Sequence, residues 1–292
     1  MKKNIFLILS FFCSTFIIAT PLSVLTVTQE QAALVQRLGG TEVKTDCLTL
    51  YNQDLHQVQA KPSMIVKLKQ SDLLVRVGMG IDDWLDALIV NASKSSLFDQ
   101  GLIDLSVGIT KLDVPIKPLD GRLGDIHPQG NPHYWLDPHN MLVMASQLSE
   151  RLKLLRPEKA SYFAEKYQTF EKEWQIQLKK WDKQMAALKG SYILTYHDSL
   201  PYFAKRYELV ILGNIEIKPG IPPTPAHLLH LKTLMRAKPV KAIFVEPYYP
   251  KEHALTLQQP AKTIVFSTSI APKSSLESLY EQLITPLVKT SY

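Results

Sequence analysis

The chain has 292 residues, of which 46% are hydrophobic and 21% are charged. This balance excludes an intrinsically disordered protein, and the length allows one large domain or two smaller ones. The formal net charge is +6, but the basic residues are spread along the chain without a long Lys/Arg run. That distribution argues against a nucleic-acid-binding surface, so we expect no nucleic acid partner.

The N-terminus has the pattern of an export signal. Lys2 and Lys3 precede a mostly apolar stretch from Ile5 to Ala19, which is shorter than the roughly 20 residues that a membrane-spanning helix needs. We therefore predict a signal peptide at residues 1–19 and a periplasmic mature protein. An uncleaved membrane anchor is the alternative interpretation.

The two cysteines predict neither a disulfide nor a metal cluster. Cys13 lies inside the apolar stretch and would be removed with it. The residues before Cys13 lack the small side chain that usually precedes a lipidated cysteine, so we do not expect a lipoprotein. Cys47 would then be the only cysteine of the mature chain.

Short apolar runs alternate with helical patterns in the first half of the chain. Most of these runs are continuously apolar, which is typical of strands in a parallel sheet covered on both faces. Four of them are predicted as strands: Val24–Val27, Cys47–Tyr51, Leu73–Val77 and Ile103–Ile109.

The strongest helical pattern lies between Pro157 and Gly190. Apolar residues recur there at steps of three and four over about seven turns, which makes one apolar stripe along a helix of roughly 40 Å. A coiled-coil partner helix is one interpretation of this stripe. We favour a single helix at residues 157–189 that packs along both halves of the chain and joins them.

The second half repeats the design of the first. Four more apolar runs are predicted as strands: Tyr192–Thr195, Leu209–Leu212, Ala242–Val245 and Thr263–Phe266. The chain is therefore predicted to be an α/β protein with two lobes, each containing a mainly parallel four-stranded sheet flanked by helices. The N-terminal lobe is predicted at residues 20–156 and the C-terminal lobe at residues 190–292, with the long helix between them.

Five polar residues stand near the carboxyl ends of predicted strands, where open α/β sheets bind their ligands. His56 and His133 follow the second and fourth strands, and His197 follows the first strand of the second half. Glu246 and Ser267 stand at the ends of the third and fourth strands of that half. These groups could converge on a cleft between the lobes. Three imidazoles suit zinc, copper or nickel better than magnesium or calcium.

The local sequences around these residues are more specific than their spacing. They form four segments: Asp54-Leu55-His56, Asn131-Pro132-His133-Tyr134-Trp135-Leu136-Asp137-Pro138, Thr195-Tyr196-His197-Asp198-Ser199 and Phe244-Val245-Glu246-Pro247. In this order they resemble segments of the cluster A-I (zinc/manganese) solute-binding proteins of ABC importers. The resemblance runs from about Val24 to the C-terminus. Leu55 replaces the proline that is usual in the first segment.

The resemblance implies two α/β lobes joined by one long helix, as the sequence pattern also indicates. It implies that His56, His133 and His197 bind a divalent cation. Manganese-type members often carry Glu at the third position, so His197 favours Zn²⁺ over Mn²⁺ as the transported ion. The resemblance further implies delivery of the ion to the membrane permease of an ABC importer. We expect the carrier to be a monomer.

The fourth ligand of the ion is where this chain departs from the family. Many members place Asp just after the last strand, and this chain has Ser267 there. Water is our first expectation for the fourth ligand and Glu246 is the second, although a supporting carboxylate that does not touch the ion is the favoured role for Glu246. His127 is expected to be a solvated loop residue, with a transient metal-collecting site as the alternative.

Three functions compete at this stage. A carrier without catalysis is the leading hypothesis, so we do not expect an enzyme. A zinc-dependent hydrolase is the alternative, because three histidines and an open water position also suit zinc hydrolysis, with Glu246 as a general base. No set of substrate-orienting residues accompanies the histidines, which argues against this alternative. Secretion alone would allow an adhesin.

Overall fold

The computed structural model describes residues 20–116, 127–218, 220–257 and 262–289. The predicted signal peptide at residues 1–19 lies outside these residues. Within the described part of the chain, no helix combines the length and the apolar character needed to cross a membrane.

The N-terminal half forms a parallel four-stranded sheet in the order β2-β1-β3-β4. Its strands are β1 (Leu22–Thr26), β2 (Val43–Cys47), β3 (Leu73–Arg76) and β4 (Leu102–Asp104). Its helices are α1 (Gln29–Gly39), α2 (Pro62–Gln70), α3 (Trp84–Ala92) and α4 (Asn140–Leu155). The central strands are buried almost throughout, as expected for apolar runs covered by helices on both faces.

Two predicted strands of this half are wrong in their bounds. The predicted strand at Cys47–Tyr51 begins where the observed strand β2 ends. Because β2 lies at the edge of the sheet, it alternates buried and more exposed residues and contains no continuous apolar run. The predicted strand at Ile103–Ile109 ends early, because the Asp104 carboxylate accepts hydrogen bonds from the backbone N–H and the hydroxyl of Ser106 and closes a turn.

The C-terminal half contains a second parallel sheet, in the order β6-β5-β7-β8. Its strands are β5 (Tyr192–Thr195), β6 (Val210–Asn214), β7 (Val240–Val245) and β8 (Lys262–Val265). Its remaining helices are α6 (Pro201–Arg206), α7 (Pro225–Ala237), α8 (Lys251–Leu257) and α9 (Ser278–Lys289). The predicted fold class, two α/β units with parallel four-stranded sheets, is confirmed.

A helix of 26 residues, α5 (Ala160–Met185), connects the two halves. Single 3-10 turns at Pro157–Lys159 and Ala186–Leu188 continue it at both ends. Its apolar stripe is buried against α1, α4 and α9 of the same chain, so it needs no partner helix from another molecule. The exact lobe boundaries at residues 156/157 and 189/190 stay a prediction.

The segment that follows β8 returns to the N-terminal half. The Trp135 indole N–H donates to the carbonyl oxygen of Thr268 at 2.7 Å, and the Tyr280 hydroxyl donates to the carbonyl oxygen of Trp135 at 2.8 Å. All three side chains are buried. These bonds hold the turn after His133 against the C-terminal part of the chain, and so help to fix the position of His133 in the candidate site.

Candidate metal centre

Three histidines from both halves meet between the carboxyl ends of the two sheets. The ring nitrogens that His56, His133 and His197 can offer to a metal lie within 4.8 Å of one another. The Nε2 atoms of His56 and His133 are 3.4 Å apart, and the three ring centroids are separated by 5.0 to 5.4 Å. The structure therefore brings together the three residues that the sequence singled out.

Local turns carry the first two histidines to this position. His56 lies in a 3-10 turn, Leu55–Gln57, and the Asp54 carboxylate caps that turn by accepting from the His56 backbone N–H at 2.9 Å. His133 directly precedes a second 3-10 turn, Tyr134–Leu136. The capped first turn holds the backbone of His56 in one conformation, and the second turn begins directly at His133.

Asn131 orients the ring of His133. Its Oδ1 atom accepts from the His133 backbone N–H at 3.0 Å and lies 3.1 Å from His133 Nδ1. A hydrogen on Nδ1 makes this contact favourable and leaves Nε2 bare, as a metal ligand requires. Burial, together with the neighbouring imidazoles of His197 and His56, holds the pKa of His133 well below its ordinary value. The ring is therefore neutral and ready to bind a cation.

Glu216 plays the corresponding role for His197. Its Oε2 atom lies 2.9 Å from His197 Nδ1, and each side chain is 5% exposed. Burial lowers the pKa of His197, but the hydrogen bond to Glu216 and the negative charge of Glu246 outweigh burial and raise that pKa overall. This carboxylate–histidine pair leaves Nε2 of His197 for a metal.

Glu216 was not among the residues predicted from the sequence. The residue follows β6 by two positions, so the rule that selected the other candidates, a polar group just beyond a strand end, also applies to it. A continuous-run pattern places the end of this strand at Leu212, whereas the observed strand continues to Asn214. With the strand end predicted two residues too early, Glu216 did not stand next to a predicted strand end and was not selected.

Glu246 is completely buried at the end of β7 and lies outside the three-histidine group. Its Oε1 atom accepts a hydrogen bond from the Ser199 hydroxyl, and its Oε2 atom has no hydrogen-bond partner among the described residues. Burial raises the pKa of Glu246 to about 7, against the opposing charge of His197 and the Ser199 hydrogen bond.

Ser267, the residue that replaces the aspartate of many family members, is engaged elsewhere. Its hydroxyl donates to the carbonyl oxygen of Tyr51 at 2.7 Å and so links the end of β8 to the loop after β2. His127 is half-buried, and its ring centroid lies 5.1 Å from that of His56. It therefore stands beside the three-histidine group, and the expectation of a solvated loop residue is wrong.

The comparisons with known proteins agree with this geometry. A family model described as ZnuA, zinc-uptake complex component A, periplasmic, matches residues 24–290. The high-affinity zinc uptake system protein ZnuA of Haemophilus ducreyi is 28% identical over 66% of this chain and 67% of its own length. The metal ABC transporter substrate-binding lipoprotein SloC of Streptococcus mutans is 22% identical over 85% of this chain and 82% of its own length.

Solved structures share the fold at low sequence identity. A crystal structure of ZnuA has a TM-score of 0.76 and 20% identity, and the alignment covers 92% of this chain and 97% of that one. A mutant of the laminin-binding adhesin Lmb from Streptococcus agalactiae also has a TM-score of 0.76 and 20% identity, with 93% and 100% covered.

Proposed function

The chain belongs to the family of periplasmic zinc-uptake component A proteins, and from this premise we propose that it captures Zn²⁺ with His56, His133 and His197. Members of this family are metal-binding components of ABC transporters rather than enzymes. The chain is accordingly a metal-binding transport component. Its partner in our proposal is the membrane permease of an ABC importer, which receives the ion.

The proposal of Zn²⁺ rests on the type of ligand atoms at the site, which are three histidine nitrogens. Three imidazoles converge within 4.8 Å, and two of them have a hydrogen-bond partner at Nδ1 that leaves Nε2 for the metal. Nitrogen ligands favour Zn²⁺ over Mn²⁺, which prefers oxygen. Zinc in proteins is usually four-coordinate, so we propose water as the fourth ligand.

We propose that Glu246 supports the ion without touching it. The carboxylate is fully buried, lies outside the three-histidine group and is held by the Ser199 hydroxyl. Its charge acts on His197, as the raised pKa of that imidazole reflects. A buried negative charge that acts on a ligand imidazole also offsets part of the charge of a bound cation.

Export and assembly complete the proposal. Residues 1–19 serve as a signal peptide, and the mature chain acts in the periplasm as a monomer. The family to which the chain belongs is periplasmic, which supports this location. The hydrolase alternative gains no support, because the family is a transport family.

Metal analysis of the mature protein, purified without added metal, tests the proposal. We expect one zinc per chain and, in competitive titration, a much higher affinity for Zn²⁺ than for Mn²⁺. His133→Ala should abolish tight binding, because it removes one of three protein ligands. His230→Ala is the matched control, since His230 is exposed on α7 and lies outside the three-histidine group. Equal zinc affinity in both variants would refute the proposal.

A further inference from the structure

One amide side chain connects the metal-binding segments of the two lobes. Asn131 lies two residues before His133 and is 8% exposed. Its Oδ1 atom faces the backbone N–H and the Nδ1 atom of His133. Its Nδ2 atom donates to the backbone carbonyl oxygen of Asp198 at 2.7 Å, and Asp198 directly follows His197. Asn131 thus contacts one candidate ligand, His133, and at the same time the backbone next to another, His197, which lies in the opposite lobe.

Chemistry allows only one orientation of this amide. A backbone N–H can only donate and a backbone carbonyl can only accept. The amide oxygen must therefore face His133 and the NH₂ group must face Asp198, as the structure has them. The same oxygen then accepts from His133 Nδ1, so the interlobe bond and the tautomer of His133 are consequences of a single side-chain orientation.

The backbone of Asn131 is held from both lobes as well. Its N–H donates to the Leu112 carbonyl oxygen at 2.8 Å, and its own carbonyl oxygen accepts from the Tyr202 hydroxyl at 3.0 Å. Tyr202 lies on α6 of the C-terminal half and also accepts from the Leu112 N–H at 3.1 Å. One turn later on α6, Arg206 forms a two-nitrogen ion pair with the Asp137 carboxylate. Contact between α6 and the His133 loop therefore sets the position of Asn131.

We propose that Asn131 is a positioning residue that makes the orientation of His133 depend on contact between the lobes. When the lobes separate, the amide loses the Asp198 carbonyl, and its side chain is free to rotate. His133 then loses the acceptor that fixes its ring, and the site holds the ion less firmly. This inference rests on the proposed function, since it takes His133 and His197 as ligands of the transported ion.

Two substitutions separate the two roles of the amide. Asn131→Ala removes the acceptor for His133 and the donor for Asp198 together. Asn131→Asp has nearly the same shape and keeps the acceptor for His133, but it cannot donate to the Asp198 carbonyl. It also places a second carboxylate beside that of Asp198, whose Oδ2 atom lies 3.5 Å from Asn131 Nδ2. Asn140→Asp is the matched control, because Asn140 Nδ2 donates at 2.8 Å to the backbone carbonyl of Tyr134 within the N-terminal half.

The readouts are the zinc affinity, the rate of zinc release to an excess of chelator, and the absorption spectrum of the Co²⁺-substituted protein. We expect Asn131→Ala to lower zinc affinity about 10-fold to 100-fold and to change the Co²⁺ spectrum. Asn131→Asp should keep the spectrum and release zinc at least about threefold to tenfold faster, because one hydrogen bond between the lobes is lost and two carboxylates then repel each other across them. A carboxylate next to His133 strengthens that imidazole as a ligand, so faster release reports the lost attraction between the lobes.

Three outcomes would count against the role proposed for Asn131 or against the proposed function. Release from Asn131→Asp at the rate of Asn140→Asp would overturn the coupling between the lobes. Parent-like affinity and spectrum in Asn131→Ala would overturn the positioning role. If His133→Ala also binds zinc normally, the proposed function itself has failed. Circular dichroism of each metal-free variant checks the fold, and if Asn131→Ala does not fold, the nearly isosteric Asn131→Asp decides alone.

Discussion

The carboxylate of Glu216 and the imidazole of His197 form a buried hydrogen-bonded pair, with Oε2 and Nδ1 2.9 Å apart. The two residues follow the neighbouring strands β6 and β5, which is why a parallel sheet brings them together. The pair fixes the ring of His197 and increases the electron density on Nε2. A bound cation would meet a neutral imidazole on one side of the site and a carboxylate-supported imidazole on the other.

Glu216→Gln is expected to lower zinc affinity about 10-fold to 100-fold, because glutamine retains an acceptor for Nδ1 but removes the negative charge behind the imidazole. Competition with a chelator of known affinity measures the change. Glu208→Gln is the matched control, since Glu208 forms an exposed ion pair with Lys189. Equal affinities in the two variants would show that the charge of Glu216 does not support the ligand.

Glu30 predicts a pH dependence of stability in the metal-free protein. Burial raises the pKa of this carboxyl from 4.5 to about 7, against the hydrogen bond that Ser269 donates to it. The folded protein therefore keeps the proton over a pH range in which the unfolded chain has lost it. Stability is highest below pH 4.5 as far as this group is concerned, and it falls as the pH rises to about 7.

Glu30→Gln should remove this contribution, because glutamine has no proton to lose. Its melting temperature should match that of the parent near pH 5 and exceed it near pH 8, where the shift corresponds to about 3 kcal/mol. Glu150→Gln, at an exposed carboxylate paired with Lys153, should follow the parent at every pH. If the melting temperatures of Glu30→Gln and the parent changed in the same way with pH, the pH dependence would not come from Glu30. Thermal unfolding at several pH values, with a chelator present, provides the data.

Glu246→Gln separates a supporting carboxylate from a direct ligand. Glutamine can still accept from the Ser199 hydroxyl, so we expect a loss of zinc affinity of about 10-fold and a folded protein. Isothermal titration calorimetry with Zn²⁺ measures both variants, and His133→Ala shows how much affinity the loss of a direct ligand costs. A loss as large as that of His133→Ala would mean that Glu246 binds the ion itself and that our proposal for this residue is wrong.

The fold was largely predictable from the sequence because a parallel sheet covered on both faces needs continuously apolar strands. Tyr192–Thr195 was located to the residue. The edge strand β2 (Val43–Cys47) was not, because a strand at the edge of the sheet is less covered and has no continuous apolar run. Local hydrogen bonding by Asp104 shortened β4, and no periodicity reveals such a turn.

The candidate site was predictable in part, for a different reason. His56, His133 and His197 were found from strand ends and from the family resemblance, and the structure brings them together. Their supporting groups were harder to find, because hydrogen bonds such as that of Glu216 depend on how two strands are placed side by side. The contact from Asn131 to Asp198 depends on how two lobes meet. Spacing along one chain contains little information about either.

X-ray absorption at the zinc edge tests the central claim most directly. The account predicts, for the zinc-loaded mature protein, three imidazole nitrogens and one oxygen at about 2.0–2.1 Å from the metal. In His133→Ala the imidazole contribution should fall to two or the metal should be lost. A parent spectrum with fewer than three imidazoles, or one that His133→Ala leaves unchanged, would contradict the claim that these three histidines hold the transported ion.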